Sequence, residues 1–200
     1  MLWTRDSNSR RKDGALKPAA ALLAAAAFFA SVALVLLATA VVTPLASGQP
    51  NATLARVDHV ADGDTLTLRN GQRVRLVQID TPEVYFRPEC YGRQASRATK
   101  QLLPPGTLVR LLPEPATDRL DQYGRLLRYV VRVRDGLDVN VQLVRRGAAA
   151  PYFYRGRHGR YWRFLDRLGR QARARHLGLW GACPGTPYQP GEGVRTGRPR

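Results

Sequence analysis

Three short charged clusters follow one another along the chain and contain the residue types that phosphodiester chemistry requires. They read DGDT at 62–65, RLVQIDTPE at 75–83 and DQYGR at 121–125. Carboxylates on loops are good ligands for hard divalent cations, and guanidinium groups match the nonbridging oxygens of a phosphate. The clusters therefore predict metal-assisted hydrolysis of a phosphodiester.

The acidic residues of the first two clusters are candidate metal ligands. Asp62 and Asp64 flank Gly63, which is expected to allow an unusual backbone angle, and Asp80 ends a predicted strand that lies beside them. Loop oxygens with open water positions favour Ca²⁺, and the lack of a His or Cys cluster argues against zinc. Taken singly, however, Asp-Gly and Asp-Thr-Pro are more typical of ordinary turns or helix caps than of a metal site.

Two arginines and one glutamate complete the chemical set. Hydrolysis needs a group that activates or orients water and positive charge that neutralises the pentavalent phosphate. Glu83 meets the first need, and Arg75 and Arg125 meet the second. The alternative interpretation is that both arginines are ordinary surface residues of their strands, and periodicity does not exclude it.

Composition points to a polyanionic partner. The chain has 200 residues, with 32 Lys and Arg against 15 Asp and Glu, giving a formal net charge of +17. Arginine dominates, since Lys12, Lys17 and Lys100 are the only lysines, and arginine forks suit bidentate phosphate contacts. Most of the arginines, taken one by one, are better explained as solvated surface residues, so only the sum argues for nucleic acid.

The N-terminal sequence is typical of an exported protein. Residues 19–42 carry no charge, follow a basic flank at 1–18 and match the roughly 20 residues that cross a bilayer. Small residues at 46–48 suit signal cleavage, yet the apolar run exceeds the about 7–15 residues of a removable signal. Residues 19–48 are therefore either a signal peptide or a transmembrane anchor with a short linker. Both options place the following domain outside the cytoplasm, secreted or membrane-anchored.

The cysteine count agrees with export. Cys90 and Cys183 form an even pair, which predicts one disulfide in a non-reducing compartment. Closure of so long a loop stabilises a fold by about 4–5 kcal/mol in the chain-entropy model. Two free thiols or a partial metal site are the alternatives.

Hydrophobic patterning predicts an α+β, mainly β domain over residues 51–184. Asn70-Gly71 marks a hairpin, and a helix follows the third strand. A five-stranded, partly open barrel of the oligonucleotide-binding (OB) type with about three helices fits this order, with an open α+β sheet as the alternative. Residues 185–200 are rich in Gly and Pro and predict a disordered basic tail. The predicted strands are Leu54–Val60, Thr65–Arg69, Gln72–Ile79, Thr107–Leu112 and Arg125–Val133, and the predicted helices are Glu89–Leu103, Asp138–Arg146 and Gly159–His176.

Six motifs in a fixed order resemble the staphylococcal nuclease (thermonuclease) family across roughly residues 56–183. They are DGDT, RLVQIDTPE, ECYGRQAS, DQYGR, NVQLVRRGAA and LGLWGAC. The resemblance implies an OB barrel and Ca²⁺-dependent endonucleolytic cleavage of DNA and RNA to 3′-phosphorylated products. Aromatic side chains accept any unpaired base, so we expect single-stranded substrate to be favoured. We also expect a monomer that has no protein partner.

The resemblance assigns roles residue by residue. Asp64, Asp80 and the carbonyl of Thr81 resemble the calcium ligands, and Asp62 resembles a carboxylate of the outer metal shell. Glu83 resembles the general base, and Arg75 and Arg125 resemble the phosphate-binding pair. The residues that resemble substrate contacts are Tyr123, Tyr152 and Tyr154.

Two departures from the family pattern are visible. Gln122 stands where the family prototype has a phosphate-contacting lysine, and the segment 84–88 is shorter than the prototype's flexible basic loop. We expect changes in affinity or end specificity rather than loss of chemistry. Two alternatives to the nuclease are a noncatalytic single-stranded nucleic-acid-binding OB module and a membrane-tethered scaffold for a protein partner.

Overall fold

The computed structural model of the chain describes residues 52–199. The predicted basic flank and the apolar run at 19–42 lie outside the described residues, so both stay predictions. Within residues 52–199, no helix combines the length and the apolar character needed to cross a membrane.

Five strands close into a barrel in the order β1-β2-β3-β6-β5, and a separate two-stranded ladder joins β4 to β7. Strands β3 and β6 run parallel, and the other neighbouring pairs of the barrel are antiparallel. This mixed barrel confirms the predicted OB-type architecture. The strands are β1 Thr53–Val60, β2 Thr65–Leu68, β3 Arg73–Leu76, β4 Ile79–Asp80, β5 Leu108–Pro113, β6 Leu126–Arg132 and β7 Ala150–Pro151.

Alternating apolar residues form the strands because one face of each strand is turned into the barrel. Val57, Leu66, Val74 and Leu76 are fully buried, whereas Arg73 lies on the outside. The predicted Asn-Gly hairpin joins β2 to β3, where Gly71 has φ +80°. That conformation costs glycine little, so the hairpin closes without strain.

The third predicted strand, Gln72–Ile79, is divided in the structure. Strand β3 ends at Leu76, Gln78 adopts a left-handed φ of 60°, and β4 then pairs with β7. The backbone oxygen of Gln78 accepts a hydrogen bond from the amide of Tyr152 at 3.0 Å, which secures this turn. The break carries Asp80 away from the barrel wall and toward the segment that holds Tyr152.

Three longer α-helices, one short α-helix and a 3-10 turn at Tyr154–Gly156 lie around the barrel in residues 52–199. The predicted cap of the second helix is present, since Asp138 accepts a hydrogen bond from the amide of Val141 at 3.0 Å. Asn140 is fully buried and connects this helix to the barrel through bonds to Val130 N and Val77 O. The helices are α1 Gly92–Leu102, α2 Val139–Arg145, α3 Trp162–Ala174 and α4 Leu179–Ala182.

The C-terminal residues differ from the predicted disordered tail. A disulfide joins Cys90 to Cys183 and fixes the start of this segment beside the entry to α1. Beyond it, the hydroxyl of Tyr188 donates to the carbonyl oxygen of Asp166 at 2.8 Å, and Val194 is 7% exposed. Residues 185–199 therefore contain no helix or strand, yet they make specific contacts along the domain.

Candidate active site

A cavity of about 430 Å³ opens at the side of the barrel. Its walls come from the end of β3 and the following turn, from the loop at 117–125 and from residues 152–157. Five of the residues that the sequence assigns to chemistry or substrate binding line this cavity, as does Gln122. These five are Arg75, Tyr123, Arg125, Tyr152 and Tyr154.

Arg75 holds two of the predicted metal ligands together. Its Nη2 lies 2.7 Å from Asp80 Oδ1 and 3.2 Å from Asp64 Oδ2. Its Nη1 donates to the carbonyl oxygens of Leu76 and Ile79 at 2.7 and 2.8 Å. Two carboxylates that are distant in sequence thus point toward one positive group, and the surrounding backbone fixes that group.

Gly63 makes the approach of Asp64 to Thr81 sterically feasible. A side chain at position 63 would overlap the side chain of Thr81, so glycine is needed for space. The expected unusual backbone angle is absent, because Gly63 is not among the residues with positive φ. Asp64 Oδ2 accepts hydrogen bonds from both the amide and the hydroxyl of Thr81, each at 3.1 Å.

Asp62 and Glu83 lie beside this pair in different settings. Asp62 Oδ1 accepts from the amides of Asp64 and Thr65 at 3.1 and 2.7 Å, which shapes the turn. Glu83 is exposed, and its carboxylate makes no hydrogen bond within residues 52–199. Its side chain is therefore free to meet a water molecule.

Burial and mutual repulsion disturb the ionisation of these carboxyl groups. Partial burial and then the charge of Asp64 raise the pKa of both Asp62 and Glu83. Burial raises the pKa of Asp80 to about 6, although Arg75 opposes the shift. Two carboxylates thus contact Arg75, and Asp62 and Glu83 add further negative charge nearby. A divalent cation would relieve the excess negative charge.

The oxygen atoms at this position fit a hard cation. Within residues 52–199, no three acidic, His or Cys side chains converge closely enough to hold a metal by themselves. The available donors are Asp64, Asp80 and the carbonyl of Thr81, which accepts no hydrogen bond from the described residues. A set of two carboxylates, one carbonyl and water suits Ca²⁺ better than a transition metal.

Arg125 is positioned by two residues that sequence reasoning did not assign to the site. Its Nε lies 2.7 Å from Asp121 Oδ2, and its Nη1 donates to Thr65 Oγ1 at 3.0 Å. Thr65 in turn donates to Asp64 Oδ1 at 3.2 Å. Asp121 could have been found from the sequence, because it lies four residues before Arg125 across a turn that contains Gly124. Thr65 could have been found because it belongs to the DGDT motif.

Asp121 also shapes the loop that presents Arg125. Its Oδ1 accepts from the amides of Tyr123 and Arg125 at 3.0 and 2.9 Å. Burial alone would raise the pKa of Asp121, but these hydrogen bonds and the charge of Arg125 outweigh it and lower the pKa. The carboxylate is therefore ionised at neutral pH and holds the guanidinium in place.

The three tyrosines present aromatic surface at the cavity. Tyr123 is 63% and Tyr154 is 52% exposed, and the guanidinium of Arg125 lies 5.4 Å from the centre of the Tyr123 ring. The rings of Tyr152 and Tyr154 are 6.2 Å apart in an edge-on arrangement. Exposed aromatic faces of this kind can stack on unpaired bases of any sequence.

Comparison with known proteins agrees with this architecture. The family model described as "Staphylococcal nuclease homologue" matches residues 73–182. Endonuclease YncB of Bacillus subtilis is 32% identical over 144 residues, covering 69% of this chain and 66% of the relative. The SPbeta prophage-derived endonuclease YokF of the same organism is 33% identical over 130 residues, covering 62% of this chain and 43% of the relative.

A third relative comes from Escherichia coli. Protein ParB is 33% identical over 137 residues, which are 62% of this chain and 70% of the relative. The chain thus spans somewhat less than two thirds of YncB and under half of YokF. Because the family model covers more than half of the 200 residues, the chain belongs to the staphylococcal nuclease homologue family.

Proposed function

We propose that the chain is a Ca²⁺-dependent endonuclease that hydrolyses DNA and RNA to 3′-phosphorylated products. The observation that carries this proposal is the connected set Arg125, Thr65, Asp64, Arg75 and Asp80 at one edge of a tyrosine-lined cavity. Two relatives that are 32% and 33% identical to it over the aligned residues are named endonucleases. Family, geometry and relatives therefore support the same reaction.

Each residue of the site has a separate role in the proposed reaction. A substrate phosphate competes with Asp64 and Asp80 for the guanidinium of Arg75, which then neutralises nonbridging oxygens. Asp64, Asp80 and the carbonyl of Thr81 would hold Ca²⁺, with Asp62 in the outer shell, and the bound ion would supply Lewis-acid polarisation of the phosphate. Glu83 accepts a proton from the attacking water or orients that water. Arg125 stabilises the charge that develops on the leaving oxygen.

We expect single-stranded or frayed nucleic acid to be the preferred substrate. Tyr152 and Tyr154 can stack only on a base that has left its duplex partner. Gln122 lines the cavity and carries no charge, so it should lower affinity for phosphate or change end specificity without removing the chemistry. The enzyme is proposed to act as a monomer and to need no protein partner.

The proposed location is outside the cytoplasm. The Cys90–Cys183 bond is typical of oxidising compartments, and residues 19–42 have the composition of a signal peptide or membrane anchor. Membrane attachment through residues 19–42 applies if that segment is retained. Either form would expose the positively charged domain to extracellular nucleic acid.

Cleavage assays on the purified full-length chain test the proposal. Denatured DNA should be degraded with added Ca²⁺ and left intact with a chelator. Glu83→Ala and Arg125→Ala should each lower kcat by at least about 10²-fold, as removal of a transition-state contact does. Arg134→Ala, which removes an arginine that is 73% exposed and does not line the cavity, is the matched control for charge.

The same experiment separates the alternatives. Binding of single-stranded DNA without cleavage at any Ca²⁺ concentration would favour the noncatalytic nucleic-acid-binding module. Cleavage that persists in chelator would show that the calcium assignment is wrong. Equal losses of activity in Arg125→Ala and Arg134→Ala would contradict the role given to Arg125.

A further inference from the structure

The C-terminal segment, defined here as residues 189–197, lies beyond the family match, which ends at residue 182. It passes directly beside a proposed calcium ligand. The backbone amide of Val194 donates a hydrogen bond to Asp80 Oδ2 at 2.8 Å, and these two residues are 114 positions apart. The other oxygen of the same carboxylate, Oδ1, is held by Arg75 at 2.7 Å.

The residue before this contact has to be glycine for two reasons. Gly193 has φ +80°, which a side-chain-bearing residue rarely adopts. A Cβ at this position would lie 2.8 Å from Asp80 Oδ2 and 3.8 Å from the ring of Tyr152. The backbone therefore approaches Asp80 and Tyr152 more closely than a residue with a side chain would allow.

Contacts on both sides hold the segment at this position. Before Val194, the carbonyl of Pro190 accepts a hydrogen bond from the amide of Phe153 at 2.6 Å. After it, the hydroxyl of Thr196 donates to the carbonyl of Cys90 at 2.6 Å, and the amide of Cys90 donates to Gly197 O at 2.8 Å.

The side chain of Val194 adds an apolar anchor. It packs in a cluster with Ala150, Ala172, Leu179 and Trp180. Because Ala150 belongs to β7, which pairs with Asp80 in β4, this cluster fixes the segment to the same ladder that carries the carboxylate. The hydrogen bonds on either side aim the amide of Val194, and this packing adds stability to the segment.

We propose that the C-terminal segment positions Asp80 for the cation, with the amide of Val194 as the positioning group. This inference rests on the proposed function, in which Asp80 is a calcium ligand. A substrate phosphate that engages Arg75 releases Asp80 Oδ1, while Oδ2 stays bound to Val194. The Asp80 carboxylate then keeps Oδ1 directed toward Asp64. The bond from Val194 prevents Asp80 from rotating away from the negative charge of Asp64.

Calcium titration of the full-length chain by isothermal calorimetry tests this role. Val194→Pro removes the amide donor, whereas Val194→Ala keeps the donor and loses side-chain packing. Loss of one charge-assisted hydrogen bond should weaken Ca²⁺ binding about tenfold in Val194→Pro, and Val194→Ala should stay within about twofold. Gly193→Ala is a second variant with an expected loss of about tenfold, because its new methyl group would displace the Asp80 carboxylate.

Kinetics provide a readout that a purely structural role would not produce. The Ca²⁺ concentration for half-maximal rate should rise about tenfold in Val194→Pro, while kcat at saturating Ca²⁺ stays within about threefold of the wild type. Thermal unfolding of each variant checks that the domain is intact.

The outcomes separate this inference from the function on which it rests. Equal calcium affinities for Val194→Pro and Val194→Ala, or tighter binding by Val194→Pro, would overturn the positioning role and leave the nuclease assignment standing. A wild-type chain that binds no calcium would overturn both the positioning role and the metal assignment.

Discussion

Replacement of Asp121 by asparagine tests whether Arg125 acts from a fixed position. Asparagine keeps an oxygen for the amides of Tyr123 and Arg125, so the loop can retain its shape. It loses the charged contact between Oδ2 and the Nε of Arg125, now 2.7 Å. The guanidinium would then rest mainly on its 3.0 Å hydrogen bond to Thr65.

The expected loss of activity in Asp121→Asn follows from the burial of the Asp121–Arg125 pair. The side chains of Arg125 and Asp121 are 20% and 17% exposed, so the contact is less screened than a surface ion pair. A charge-assisted hydrogen bond in such a setting contributes about 1.5–2 kcal/mol. If that energy is used to hold Arg125 in the transition state, kcat should fall about 10- to 30-fold with little change in KM.

Asp118→Asn is the matched control, at a carboxylate that lines the same cavity but pairs with Arg157 and not with Arg125. Asp118 also pairs with an arginine, since Arg157 Nη1 lies 3.0 Å from its carboxylate, but the two side chains are 41% and 68% exposed. A pair of this kind contributes under about 1 kcal/mol, so kcat should change less than about threefold. The assay is steady-state cleavage of denatured DNA at saturating Ca²⁺, with thermal unfolding measured in parallel. Equal kcat values for the two variants would refute the reasoning.

Two further predictions concern stability. Asn140→Ala should lower the free energy of unfolding by about 2–4 kcal/mol, because it leaves two buried backbone groups without partners; a urea-unfolding difference below about 1 kcal/mol would contradict this. Burial raises the pKa of Asp138 to about 6, so ionisation of this carboxyl group destabilises the folded state. Asp138→Asn keeps the helix cap but cannot ionise. The free energy of unfolding of the wild type should therefore fall relative to that of Asp138→Asn as the pH rises from about 4 to about 6. Urea unfolding at pH 4, 5, 6 and 7 checks this, with an expected change of about 1–2 kcal/mol, and parallel curves for both proteins would disprove it.

The barrel could be predicted from the sequence because its signals are local. Alternating apolar residues mark the strands, and Asn70-Gly71 fixes the first hairpin without help from distant residues. The division after Leu76 could not be predicted in the same way. Nothing in the local sequence requires Gln78 to adopt a left-handed φ, and the conformation depends on a hydrogen bond to Tyr152, 74 positions later in the chain.

The same difference between local and distant signals applies to the candidate active site. The acidic and basic motifs identified the residues that meet around Arg75, since motif spacing reflects the turns that carry them. The contact from Val194 was missed because Gly and Pro content indicates a lack of regular secondary structure and says nothing about docking. The disulfide at Cys183 supplies a constraint on docking, because it fixes the chain six residues before the C-terminal segment begins at residue 189.

The parallel pairing of β3 with β6 has a consequence for how this domain can be assembled. Val74 pairs with Leu126, so the barrel stays open until the chain has been extended by some fifty residues beyond the first hairpin. Until then, β3 presents unpaired amides and carbonyls along one edge, a surface prone to intermolecular strand addition. Folding is therefore expected to be slow relative to a helical bundle of the same size, with aggregation competing most strongly before Leu126 has reached its partner.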